Sequence, residues 1–142
     1  MRHSRVLVAA VSVATVAAAL LTGGRMLSAQ DPLTSGTILQ RTEIAGGEGM
    51  EALLVLRELP PGGESGRHTQ SGGEIVYILE GAVVLEVEGE PAVTVNAGEA
   101  FQTAVGAVHN VKNASADAPG KALAFYIVAK GATLEDISLP AQ

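Results

Sequence analysis

Residues 62–81, GGESGRHTQSGGEIVYILEG, carry most of the side chains from which the fold and function of this chain can be inferred. A second stretch, GEAFQTAVGAVHNVKN at residues 98–113, supplies one more. Four residues in the two stretches together make a candidate set of ligands for a divalent metal ion: His68, Gln70, Glu74 and His109. They offer two imidazoles, a carboxylate and an amide oxygen. The sequence therefore predicts a metal pocket.

The spacing within the first stretch explains how three of these side chains can meet. His68 and Gln70 are two residues apart, so on an extended strand both side chains leave the same face. Residues 71–73 include two glycines and form a flexible link, after which Glu74 opens an apolar run. This run can bring the carboxylate beside the first two side chains. His109 must come from elsewhere in the fold.

The two stretches also resemble the two sequence motifs of the cupin family. The positions that match the first motif are Gly62, His68, Gln70, Glu74 and Gly81. The positions that match the second motif are Gly98, Ala104, Gly106, His109 and Asn113. This chain departs from the family pattern twice, because cupins usually have a second histidine where it has Gln70 and a proline where it has Ala104. The resemblance extends more loosely over residues 37–131 and is closest to small single-domain cupins.

The resemblance implies an all-β fold, a cupin-type barrel of the double-stranded β-helix or jelly-roll kind. It also implies a homodimer and an open metal coordination position that faces an apolar pocket for a small molecule. From ligand types alone, His68, Glu74 and His109 form a two-histidine, one-carboxylate set, which favours Fe or Mn, with Zn or Ni also compatible. A single histidine in a barrel is more often a hydrogen-bonded structural residue. Gln70 can coordinate a metal or serve as a hydrogen-bond partner.

The rest of the chain shows short alternating segments separated by Gly, Pro and Asn turns, which independently favours a small β-barrel or sandwich. Residues 50–59 and 121–130 are apolar on both faces and are predicted to be strands. No segment after residue 29 has a helical stripe. Strand alternation gives candidate pocket residues beyond the metal ligands: Val76, Ile78, Phe101, Gln102 and Tyr126.

The N-terminal segment has the layout of a secretory signal peptide. Arg2, His3 and Arg5 precede an apolar, alanine-rich run at residues 6–21, and small residues follow. The run is shorter than the ~20 residues that span a bilayer, although an uncleaved membrane anchor is the alternative. We therefore expect a secreted or periplasmic protein. The expected parts of the chain are a signal peptide at 1–29, a linker at 30–36, a cupin barrel at 37–131 and a C-terminal tail at 132–142.

Charge and cysteine content exclude several classes of function. The chain has 9 basic and 15 acidic residues, and the first 29 positions contain three of the basic residues and no acid. Such an acidic domain has no electrostatic reason to bind nucleic acid or an anionic membrane surface after signal cleavage. The absence of cysteine excludes a thiolate ligand and a cysteine nucleophile.

Two functional hypotheses remain from the sequence. The first is a metal-dependent enzyme of the dioxygenase or isomerase type that acts on a small molecule. The second is a non-catalytic cupin that binds a metal or small ligand as a sensor, scavenger or accessory protein, and Gln70 favours it because an amide is a weaker ligand than imidazole. A purely structural dimer with an empty pocket is the third alternative.

Overall fold

The structure of this protein is a computed structural model, and it describes residues 36–141. The predicted signal peptide at 1–29 and most of the linker at 30–36 lie outside the described residues. The elements in chain order are β1 (Gly36–Glu43), β2 (Met50–Leu59), β3 (His68–Gln70), β4 (Gly73–Glu80), β5 (Ala82–Val87), β6 (Val93–Asn96), β7 (Ala100–Thr103), β8 (His109–Asn113), β9 (Gly120–Ala129), α1 (Leu134–Ile137) and β10 (Ser138–Pro140). The predicted all-β fold is confirmed.

The strands form two antiparallel sheets of five strands each. The first sheet has the order β1-β2-β9-β4-β7, and the second has the order β10-β3-β8-β5-β6. Neighbours in each sheet are mostly distant in the sequence, as is usual for a jelly roll. Buried Leu53 and Val55 from the first sheet pack in one core cluster with Val83 and Val95 from the second. The two sheets therefore pack face to face and enclose a single core.

The alternation predicted for β4 is present in the structure. Glu74, Val76 and Ile78 are buried, whereas Ile75, Tyr77 and Leu79 are 39–50% exposed. β9 alternates in the same way, with Ala124, Tyr126 and Val128 buried. Because side chains leave a strand on alternate faces, one face of the first sheet lines the interior and the other presents apolar side chains to solvent.

Paired strands extend slightly beyond the range predicted for the barrel, 37–131. β1 begins at Gly36 and pairs with β2. At the other end, β10 pairs with β3, with Ser138 opposite Gln70 and Pro140 opposite His68. The short helix α1 precedes β10, and its Ile137 side chain is fully buried. The C-terminal residues thus cover the strand that carries two of the predicted metal ligands.

Asn113, the last residue of the second motif, ties three chain segments together. Its Nδ2 donates to the backbone oxygens of Leu59, Pro60 and Ala118, at 3.2, 3.0 and 2.9 Å. Its Oδ1 accepts from the backbone N–H of Ser115 at 2.9 Å. This motif position therefore serves the fold by satisfying buried carbonyl groups. It does not line the cavity that contains the predicted metal ligands.

Candidate metal and ligand site

The structure brings together all four residues that the sequence nominates as metal ligands. β3 positions His68 and Gln70, β8 positions His109, and β4 positions Glu74 on the facing sheet. His68 and His109 are opposite each other across the β3–β8 pair, with ring centroids 4.2 Å apart. Nε2 of His109 lies 3.7 Å from Oε2 of Glu74. All four line the same cavity between the two sheets.

Backbone carbonyls fix the position of the Nδ1 proton on both imidazole rings. Nδ1 of His68 lies 2.9 Å from the oxygen of Gly66, and Nδ1 of His109 lies 3.0 Å from the oxygen of Ala107. A carbonyl oxygen can only accept, so each Nδ1 carries the proton and each Nε2 of the neutral ring carries a lone pair. Burial lowers the pKa of His68, which further favours the neutral ring. In the neutral ring, Nε2 of His109 presents an unpartnered lone pair, whereas Nε2 of His68 accepts from the Gln70 amide.

Two polar atoms at the site are buried without a hydrogen-bond partner among the described residues: His109 Nε2 and Gln70 Oε1. Native proteins leave few such atoms, because an unsatisfied buried acceptor costs about 1–3 kcal/mol. The other end of the Gln70 amide donates from Nε2 to His68 Nε2 at 3.0 Å. A cation between these acceptors is one way to offset the cost.

Glu74 completes the donor set from the opposite sheet. Its side chain is nearly fully buried, and Thr103 Oγ1 donates to its Oε2 at 3.1 Å. The adjacent phenol of Tyr126 has a raised pKa, first because it is buried and second because of the negative charge of Glu74. Tyr126 is therefore a neutral hydrogen-bond donor beside the carboxylate.

His68, Glu74 and His109 are not arranged as a metal site on their own. Within residues 36–141, no group of three or more His, Cys, Asp or Glu side chains is arranged to hold a metal ion. Gln70 contributes an amide beside these three side chains, at the position where cupins usually have a histidine.

In the part of the chain that the structure describes, no helix is long and apolar enough to cross a membrane.

The cavity has a volume of about 270 Å³. Of the pocket residues predicted from alternation, Val76, Ile78, Phe101 and Tyr126 do line it. The prediction for Gln102 is wrong: it is exposed on β7, opposite Ile75 on the outer face of the sheet. Phe101 and Gln102 are adjacent on one strand, so only one of them can face inward. Phe101 shares the inner face of β7 with the buried Thr103.

Sequence reasoning missed two charged residues of the cavity, the exposed Arg67 and the buried Arg57. Arg57 lies on the inner face of β2 with Leu53 and Val55, and only 6% of it is exposed. Its Nη2 donates to the hydroxyl of Tyr126 at 3.0 Å. The available signal was its position in the alternating pattern of β2, which places an arginine on an otherwise apolar inward face.

The fold and the donor set define the class of protein: a small jelly-roll barrel with imidazole, carboxylate and amide groups converging in an apolar cavity. Residues 55–126, just over half of the chain, match the family described as Cupin domain. This chain belongs to the cupin family. No curated protein matches it.

Solved structures that match with TM-scores above 0.5 show the same fold. A cupin domain from Bordetella pertussis Tohama I is 26% identical with a TM-score of 0.51, and the match covers 66% of this chain and 92% of that one. The protein TT1209 from Thermus thermophilus is 34% identical over 53% of this chain and 70% of that one, with a TM-score of 0.47. A structure of the DMSP lyases RdDddP and RnDddQII is 20% identical with a TM-score of 0.53, over 64% of this chain and 44% of that one. The present chain thus spans less than half the length of that lyase chain.

Proposed function

We propose that this protein binds one divalent metal ion through Nε2 of His68 and His109, the Glu74 carboxylate and Oε1 of Gln70. The observation that carries the proposal is the pair of buried, unpartnered acceptors, His109 Nε2 and Gln70 Oε1, beside a second imidazole. Backbone hydrogen bonds on both Nδ1 atoms support it, because metal-binding histidines usually donate their other N–H in this way.

The donor types favour Fe(II) or Mn(II), and Zn(II) or Ni(II) is also compatible. Such an ion supplies Lewis acidity or a redox centre to a small molecule in the cavity. The chain's own residues then position this molecule. Val76, Ile78 and Phe101 exclude water, and the neutral phenol of Tyr126 lies beside Glu74 on the wall opposite the histidines.

Two uses of the site follow, and different observations favour each. Two imidazoles and a carboxylate beside an apolar cavity favour a metal-dependent oxygenase, oxidoreductase or isomerase acting on a small molecule. The Gln70 to His68 hydrogen bond favours a non-catalytic metal or ligand binder, since it partly satisfies the site without a cation. If the metal-loaded protein converts a compound and the His68→Ala and Glu74→Ala variants do not, the enzyme hypothesis is supported. Saturable binding of a compound that is never consumed supports the binder.

Replacing Gln70 by histidine is expected to tighten metal binding by about tenfold or more, because an imidazole is a better ligand than a neutral amide. The change restores the usual cupin residue at a position that is buried and faces the other ligands. The measurement is competition with a chromophoric chelator for Mn(II) and Zn(II). Gln102→His, on the outer face of strand β7, is the control and should leave the affinity unchanged. An unchanged affinity in Gln70→His would show that this position does not coordinate.

We propose that the protein acts outside the cytoplasm, and the support is the layout of residues 1–29, with arginines preceding an alanine-rich apolar run. Expression of the full chain should yield an extracytoplasmic protein whose new N-terminus lies near residue 30, after Ala29 or, alternatively, after Gly24. N-terminal sequencing of the fractionated protein measures this. An intact N-terminus in the membrane fraction would instead show that the segment is an anchor.

We propose that two copies associate through the outer face of the first sheet. Ile75, Tyr77, Phe125 and Ile127 are 38–50% exposed there, and Ile75 is directly opposite Phe125 across the β4–β9 pair. Contiguous exposed apolar side chains of this kind are typical of interfaces. Light scattering should give the mass of two chains for the wild type and of one chain for Phe125→Glu. Val93→Glu, exposed on the second sheet, should remain a dimer, and a monomeric wild type would contradict the proposal.

A further inference from the structure

Residues 131–140, the C-terminal segment, cross from the first sheet to the second. The segment begins with Gly131, whose N–H donates to Oε1 of Glu51 at 2.7 Å. Arg41 forms an ion pair with Glu51 and donates from Nη2 to the oxygen of Ala132 at 2.8 Å. Glu51 is buried on β2 and Arg41 lies on β1, so the first sheet holds this end of the segment.

One large apolar side chain anchors the middle of the C-terminal segment. Ile137 is fully buried and belongs to the core cluster, against which Ala132 and Leu134 also pack. Leu139, two residues further on, is 43% exposed. Because apolar side chains stabilise a fold in proportion to the area that they bury, the docking of the segment depends mainly on Ile137.

The far end of the C-terminal segment is the strand β10, which pairs with all three residues of β3. Two further backbone hydrogen bonds flank these pairs. Ser71 N donates to the oxygen of Ile137 at 2.9 Å, and Ala141 N donates to that of Arg67 at 3.4 Å. Backbone pairing therefore runs along the whole length of the strand that carries two of the proposed metal ligands.

The other edge of β3 has less support. Within residues 36–141 it pairs with β8 at a single position, His68 with His109. Gly106 N also donates to the oxygen of Gln70 at 3.1 Å. Short strands with so little pairing are marginal by themselves, so β10 supplies most of the pairing that keeps β3 in place.

We infer that the C-terminal segment positions the two metal ligands of β3, His68 and Gln70, by holding this strand against β8. Ile137 is a positioning residue in this arrangement, since it acts on the site through β3. The inference rests on the proposed function for the metal itself, whereas the support of β3 is a property of the metal-free chain. A metal ion that binds only the docked arrangement also stabilises the docked segment, because coupling between two equilibria is reciprocal.

Amide hydrogen exchange of the metal-free protein, followed by NMR, tests the support of β3. The reporter is the Gly106 amide, which donates to Gln70 and so reports on β3 from its other edge. In Ile137→Ala we expect this amide to exchange about tenfold faster or more, because the loosened segment no longer holds β3. Val95→Ala, which truncates a buried side chain of β6, is the control for a general loss of stability and should leave the Gly106 exchange unchanged. Leu139→Ala, on the exposed face of β10, should leave it unchanged too.

Mn(II) affinity, measured by competition with a chromophoric chelator, tests the positioning of the ligands. Ile137→Ala should bind Mn(II) about tenfold more weakly than the wild type, and Val95→Ala and Leu139→Ala should bind it like the wild type. Ile137→Val keeps most of the buried side chain and should fall between Ile137→Ala and the wild type in both measurements. Circular dichroism checks folding, and Ile137→Val alone decides if Ile137→Ala is not folded.

Unchanged exchange of Gly106 in a folded Ile137→Ala protein would overturn the inference, and so would equal acceleration in Val95→Ala. Faster exchange with an unchanged affinity for Mn(II) in Ile137→Ala would also overturn it, because the segment would then hold β3 without positioning its ligands. If the wild type itself retains no Mn(II), the proposed function fails. The exchange of Gly106 in the metal-free protein still decides whether the segment holds β3.

Discussion

His109→Ala protein is expected to bind Mn(II) or Zn(II) about 100-fold more weakly than the wild type, the largest functional effect of any single change considered. His109 is 1% exposed, and its unpartnered Nε2 lies 3.7 Å from Glu74 and beside the ring of His68. Removing this imidazole deletes one of only two nitrogen donors at the site. The remaining carboxylate and amide are weak ligands for a borderline metal ion.

The affinity is measured by competition with a chromophoric chelator, with Thr69→Ser as the control. Thr69 lies between His68 and Gln70 on β3, and its side chain leaves the other face of the strand. The control should bind metal like the wild type. Equal affinity in His109→Ala would show that the two histidines are structural residues, held only by their hydrogen bonds to backbone carbonyls.

Gly72→Ala is expected to destabilise the fold by about 2–3 kcal/mol, the largest stability effect that the structure predicts. A Cβ at Gly72 would lie 2.2 Å from the backbone oxygen of Ile127, far inside van der Waals contact. The obstacle is the backbone of β9, which is paired on both sides in the first sheet and cannot move aside cheaply. The link between β3 and β4 would have to shift, and Gln70 and Glu74 with it.

The adjacent Gly73→Ala provides a matched control for this change. A Cβ at Gly73 would meet no heavy atom within 4 Å, and its backbone is in the ordinary strand region. We expect it to be neutral or slightly stabilising, because alanine restricts the unfolded chain. The difference in the free energy of unfolding is measured from the urea midpoints of both variants, for transitions whose slopes are unchanged. Equal midpoints would mean that the β3–β4 link is loose enough to accept a side chain at either position.

Much of the fold followed from period-two patterns that the sequence displays. The alternation of Glu74, Val76 and Ile78 with Ile75 and Tyr77 correctly predicted which side chains face inward, because one face of β4 is buried against the second sheet. The spacing of His68 and Gln70 likewise predicted that both would reach one pocket. These inferences succeed because a strand has only two faces.

Other features depended on strand register and pairing, which spacing does not encode. That His109 would pair directly with His68 required the β3–β8 register, which comes from the packing of the whole barrel. The pairing of β10 with β3 was hidden because the C-terminal residues lack a strand-like pattern. The inward position of Arg57 was visible in the sequence, whereas its hydrogen bond to the phenol of Tyr126 was not.

The most direct test of the metal proposal is elemental mass spectrometry of the wild-type protein, prepared without its first 29 residues and without an affinity tag. We expect about one equivalent of Fe, Mn, Ni or Zn per chain, either as purified or after incubation with the metal and removal of the excess. No bound metal after such reconstitution would contradict the proposed metal binding. Gln70 would then mark a cupin cavity in which the histidines and Glu74 serve ligand binding or the fold alone.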